Sequence, residues 1–164
     1  RVKNRKAFKG ILINHPMSES YFGKYNVKKV KSFIALPDKI LETIKRKNEG
    51  NNFLYACPLM CENEISIIYF DADSYIKLDR ELRNGVAGLI SDSDERGIIR
   101  LMASGMEKAV LDGEKLEVPK GLEKIVKEKK LLLLGCGGVF ELWKPNIYEI
   151  WSPLVNYEAV AENL

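Results

Sequence analysis

The sequence is poor in the side chains that carry most metal and nucleophile chemistry. Its 164 residues include one histidine, His15, and three cysteines, Cys57, Cys61 and Cys136. An odd, sparse cysteine count does not suggest a disulfide scaffold and fits a reducing cytoplasm. Long apolar runs are also missing. The longest, Leu131–Leu134 and Ile65–Phe70, are strand-sized, well short of the ~20 residues that span a bilayer. No apolar stretch follows the basic start, so a secretory signal is not expected, and the missing initial Met leaves room for a longer N-terminus.

These shortages weaken each catalytic or metal candidate. Cys57 and Cys61 have a Cys-x-x-x-Cys spacing that can open a zinc site, but the remaining ligands, His15 and Cys136, fall in unrelated segments. Buried or loop thiols are expected instead. Cys136 lacks an evident activating base. Gly135-Cys-Gly-Gly138 is phosphate-loop-like in composition, yet it leads into a strand rather than a helix N-terminus, so a hairpin turn is expected. Asp92, Asp94 and Glu95 read as a solvated helix cap. Phe140, Trp143, Tyr148 and Trp151 read as core or interface. The expectation is a non-enzyme without metal, cofactor, small-molecule substrate or membrane partner.

What is present is charge, unevenly distributed. Net charge is +3 overall, but residues 1–31 hold nine Lys/Arg (Arg1, Lys3, Arg5, Lys6, Lys9, Lys24, Lys28, Lys29, Lys31) against one acid, Glu19. A basic arm on a mildly acidic body suits a polyanion partner.

The pattern along the chain is regular from Tyr21 onward. Strands are predicted at Tyr25–Val30 and Ser32–Leu36, stopped by Pro37, which suits a helix start carrying Ile40, Leu41 and Ile44. Phe53–Cys57 and Ile65–Phe70 read as strands around Pro58–Glu64. A helix capped by Asp71 or Asp73 then runs to Asn84–Gly85. Ser91–Asp94 starts another helix, carrying Ile98, Ile99, Leu101 and Met102. The order then repeats: strands at Glu107–Leu111 and Lys115–Val118 around an Asp112–Gly113 turn, Pro119, and a helix with Leu122, Ile125 and Val126. Strands at Leu131–Leu134 and Val139–Trp143 follow, then a helix from Pro145. Two copies of ~45–50 residues are each too small to bury a core alone, so they are expected to share one.

The second copy resembles the MraZ family of bacterial transcription regulators, which carry two SpoVT-AbrB-like units. Leu101–Pro119 and Leu131–Pro145 are similar to that family's second unit, most specifically at Phe140-Glu-Leu-Trp143. The Trp143-Lys-Pro ending is similar to a Trp-Glu-Pro common in its alphaproteobacterial branch. More weakly, Tyr21-Phe-Gly-Lys-Tyr25, Ile34-Ala-Leu-Pro37 and Pro58-Leu-Met-Cys61 resemble segments of the first unit. The family's Asp-x-x-Gly-Arg turns are altered. Lys28-Lys-Val-Lys-Ser-Phe33 stands at the first, with Phe33 near the Arg position. The second keeps Asp112 and Gly113 but has Lys115 for Arg. Lysine neutralises phosphate but lacks the planar fork that reads guanine.

The resemblance implies an α+β fold of two tandem AbrB-like swapped-hairpin units forming a pseudo-twofold barrel with flanking helices. Its expected divisions are an extension 1–20, unit 21–70, helical connector 71–104, unit 105–151 and tail 152–164. It implies a cytoplasmic, nucleoid-associated homo-oligomer, ring-like, binding double-stranded DNA at repeated sites upstream of cell-division and cell-wall genes. Lys29, Lys31 and Lys115 are the expected DNA-facing residues, supported by Lys24 and Lys28. The alternative is an oligomeric interaction protein that keeps the scaffold without specific DNA binding.

Overall fold

Alternation of outward polar and inward apolar residues makes the first strand, β1 (Lys24–Val30). Lys24, Asn26, Lys28 and Val30 are exposed and Val27 is buried. The computed structural model describes residues 20–61, 64–87 and 104–145. After β1 come β2 (Phe33–Ala35), helix α1 (Asp38–Lys47), β3 (Phe53–Cys61), β4 (Glu64–Phe70) and helix α2 (Ala72–Ala87). The second half contributes β5 (Glu107–Asp112), β6 (Lys115–Glu117), a 3-10 turn at Lys120–Leu122, β7 (Lys130–Gly135) and β8 (Phe140–Trp143).

The eight strands close an antiparallel barrel in the order β1-β2-β6-β5-β3-β4-β8-β7, with β7 returning to β1. Closure leaves the paired stretches without a free sheet edge. The halves interleave, since β1 pairs with β7, β2 with β6, β3 with β5 and β4 with β8. The two tight hairpins share a register. Lys29 faces Ile34 and Val30 faces Phe33 in one; Leu111 faces Leu116 and Asp112 faces Lys115 in the other. The β2–β6 pair is centred on Ile34 opposite Leu116, and β4–β8 on Ile68 opposite Glu141.

The barrel interior is filled by Ile34, Leu54, Ile67, Tyr69, Leu116, Leu131, Leu133, Phe140 and Leu142, all at most 1% exposed. Phe140 stacks on Tyr69 and meets Tyr21 edge-on. A smaller cluster joins Cys57, Ile68 and Phe70 on the outer side of β3 and β4 to Tyr75 and Leu78 of α2. Pro37 precedes α1 in extended conformation and Asp38 sits at the positive end of its dipole, while Ile40, Leu41 and Ile44 are buried. Gly135 is where the Tyr21–Phe22 backbone lies against β7, leaving no room for a Cβ.

Several boundaries differ from the sequence reading. The Pro58–Glu64 connection is instead largely strand. The β3–β5 pairing ends at Ala56, so at Pro58 one side of β3 has no ladder partner and a missing N–H costs little. The helix expected after Pro119 is only a 3-10 turn, because Gly121 interrupts it and the chain must rejoin the barrel at Lys130. Helix α2 runs through Gly85 to Ala87, and β8 begins at Phe140 rather than Val139. The capping expectation at Asp71 is met: its Oδ1 accepts the Ser74 N–H at 2.8 Å. All but Ser20 of the 1–20 extension, the Ser91–Asp94 helix start, the helix beyond Pro145 and the 152–164 tail lie outside the described residues, as does the connector from 88 to 103.

Candidate nucleic-acid interface

The two tight hairpins lie side by side through β2 and β6, making a four-stranded ribbon, β1-β2-β6-β5, on one side of the barrel. Its inner face is buried through Val27, Ile34, Ala109 and Leu116. Its outer face is set by alternation: Lys24, Asn26, Lys28 and Val30 from β1, Ala35 from β2, Lys115 from β6, and Lys108, Val110 and Asp112 from β5. Lys115 is directly opposite Ala35.

The five expected lysines divide. Lys24, Lys28, Lys31 and Lys115 are exposed. Lys29 is not on that outer row. It is half-buried, and its ammonium donates to the carbonyl of Val126. Period-2 alternation turns its side chain toward the inner face, while Lys28 stands on the outer row. Lys31 escapes the alternation altogether. It occupies the Lys31–Ser32 turn at φ 56°, a left-handed conformation. Gly113, at φ 60°, opens the corresponding β5–β6 turn. Phe33 is half-buried beside the turn and pairs with Glu117.

The second hairpin is less basic. Asp112 precedes its turn and Glu114 lies in it, and Glu117 Oε1 accepts the Val110 N–H at 3.1 Å. Lys108, which sequence reasoning missed, sits 4.6 Å from the Phe53 ring centroid. A larger omission is the segment 118–130, which carries Lys120, Lys124, Lys127, Lys129 and Lys130, all exposed. The run of lysines was visible as a charge signal, but reading it as a helix hid its position beside β1.

The candidates set aside on sequence grounds have definite positions. Cys57 is buried beneath α2, and burial pushes its thiol up to about 12. Cys136 is on the exposed β7–β8 turn, its thiol pushed up to about 12 by local desolvation and then by the Glu141 carboxylate. Both shifts oppose nucleophile activation. Among the described residues no group of three or more His, Cys, Asp or Glu side chains is placed to hold a metal ion. Phe140 is core, and the Trp143 indole N–H donates to Glu141 Oε1 at 2.8 Å. His15, Asp92, Asp94, Glu95, Tyr148 and Trp151 lie outside the described residues.

One buried charged cluster is structural in geometry. Lys47 Nζ lies 3.1 Å from Asp71 Oδ2, their side chains 8% and 0% exposed. Lys47 also donates to Ser74 Oγ at 3.0 Å and to the Gly138 carbonyl at 3.1 Å. The Tyr21 hydroxyl donates to Asp71 Oδ2 at 2.6 Å, and burial followed by the Asp71 charge holds that phenol protonated far above its usual range. The cluster ties Tyr21, the end of α1, the start of α2 and the β7–β8 turn together.

No protein-family model matches the chain, and no curated protein matches it. No helix among the described residues is long and apolar enough to cross a membrane.

Proposed function

We propose that this protein is a DNA-binding transcriptional regulator of the MraZ type, built from two AbrB-like units related by a pseudo-twofold axis. The observation that carries the reading is the ribbon β1-β2-β6-β5, whose two hairpins share one register and whose outer side and first turn expose Lys28, Lys31 and Lys115. The recurrence of that register around Ile34–Leu116 and Ile68–Glu141 supports the pseudo-twofold. A β-ribbon fits the major groove of duplex DNA, and basic side chains on its outer side meet phosphates and base edges. One protomer offers few such contacts, so the reading includes a ring-like homo-oligomer acting on repeated sites upstream of cell-division and cell-wall genes, in the cytoplasm and at the nucleoid. Catalysis and a cofactor form no part of it.

A second reading has its own observation. Val30 is 69% exposed and Val110 43% exposed on the same ribbon, and the second turn is acidic. Such a surface suits an oligomeric interaction protein that has kept the scaffold without specific DNA reading. Binding of the intact oligomer to its own upstream DNA, titrated against salt and compared with random duplex, separates the two. The regulator reading expects preference for the upstream duplex, and a log–log salt slope shallower by about 2–3 in Lys28→Ala/Lys31→Ala/Lys115→Ala. Equal affinity for random duplex at low salt overturns it in favour of the interaction protein.

A further inference from the structure

We infer that the segment 120–130 is a phosphate-contacting arm, a track of lysines that extends the first hairpin's surface along one strand of a DNA duplex. The inference rests on the DNA-binding reading above and adds the surface by which the backbone is held.

The first support is position. The segment is fastened along the first hairpin by several bonds. Just ahead of it the Val118 N–H donates to the Ser32 carbonyl at 2.6 Å, and at its far end the Lys129 carbonyl accepts the Lys29 N–H at 2.7 Å. The Ser32 hydroxyl donates to Glu123, and the Lys29 ammonium to the Val126 carbonyl. Leu122 and Val126 are buried in the barrel core, so the segment is anchored on its inner side. Its lysines, Lys120, Lys124, Lys127, Lys129 and Lys130, remain exposed.

The second support is electrostatic. Lys28 and Lys130 are directly opposed across the β1–β7 pair, and both are exposed. Directly opposed residues of antiparallel strands point to the same side, and like charges there cost stability unless an anion lies between them. Lys31 adds a cation from the adjoining turn, in a backbone conformation that a lysine adopts only at a cost. Among the described residues, no ion pair engages Lys28, Lys31 or the five lysines of the segment. The segment's own carboxylates are two, Glu123 and Glu128, and Glu123 is occupied by Ser32. A concentration of ammonium groups without the fork geometry of arginine suits point contacts to phosphate, not base reading.

The test is Lys124→Ala/Lys127→Ala/Lys129→Ala, all exposed side chains, in the full-length protein, with Lys→Arg at the same positions as a charge-retaining control. Duplex affinity is measured by fluorescence anisotropy between low and moderate salt, on the upstream sequence and on random duplex. The arm predicts weaker binding to both duplexes by the same factor, an unchanged preference between them, and a salt slope shallower by about 2–3. The arginine control keeps the wild-type slope. A triple alanine variant that melts like the wild type and keeps its slope overturns the arm while leaving the regulator reading intact. Slope loss in a protein with no preference for the upstream sequence upholds the arm and removes the regulator. Absence of duplex binding by the wild type removes both, and a slope loss seen only with acidic polypeptide reassigns the track to a protein partner and overturns the arm.

Discussion

At the scale of single residues, Lys47 and Asp71 are the pair with most at stake. Both charges are out of water, and each is stable there only because the other, Tyr21, Ser74 and the Gly138 carbonyl complete its bonding. Removing one partner strands the other charge in a low-dielectric interior. Lys47→Met is therefore expected to lower unfolding free energy by about 3–5 kcal/mol, measured by denaturant titration. Lys47→Met/Asp71→Asn is expected to cost less than the two single changes together, because the stranded charge is gone. A loss below ~1 kcal/mol in Lys47→Met, the size of an exposed pair, would contradict the buried-pair account. None of this was visible in sequence, where Asp71 showed itself as a helix cap and Lys47 carried no signal beyond its charge. Residues distant along the chain had to meet before either became a buried charge.

At the scale of elements, the instructive contrast is between the two hairpin turns. Gly113 enters the left-handed region freely, while Lys31 takes the same conformation with a Cβ in the way. Lys31→Gly is expected to raise stability by about 1 kcal/mol, since the relieved strain exceeds the entropy that glycine adds to the unfolded chain, and, under the proposed DNA-binding function, to weaken duplex binding at the same time. A thermal melt with a parallel binding titration reads both. A variant that loses stability without losing affinity would remove the functional account of Lys31. Element types followed from local chemistry: the alternation of β1, Pro37 before α1, Asp71 before α2, and the Asp112–Gly113 turn. Errors came where tertiary context overrode that chemistry. Pro58 reads as a strand breaker, yet it sits where β3 has left β5 and needs no donor on that side. Leu122, Ile125 and Val126 have helical spacing, but Leu122 and Val126 are buried from a 3-10 turn and the loop after it.

At the scale of the whole molecule, the halves are interleaved. Each of β1, β2, β3 and β4 takes one neighbour from the other half, and the interior core draws on both. Neither half can satisfy its ladder bonds or fill a core alone. Separately produced fragments 1–95 and 96–164 are accordingly expected to lack a cooperative melt, and their mixture to recover β-sheet circular dichroism. A fragment that folds alone would show the halves to be independent domains. Interleaving also forms the candidate interface. Lys115 reaches the first hairpin only because β6 pairs with β2, and Lys130 reaches Lys28 only because β7 pairs with β1.

The sequence by itself determined most of the elements among the described residues and their order, because alternation, proline and capping act over a few residues. It marked lysine as the available charge of the first hairpin. Only the tertiary structure decided which lysines stand together. Strand partners are chosen by burying a shared core, a long-range competition that local pattern does not encode. That choice turned Lys29 inward onto the Val126 carbonyl and left Lys28 exposed. It also brought the lysines of 120–130 alongside the first hairpin, from the far end of the repeat.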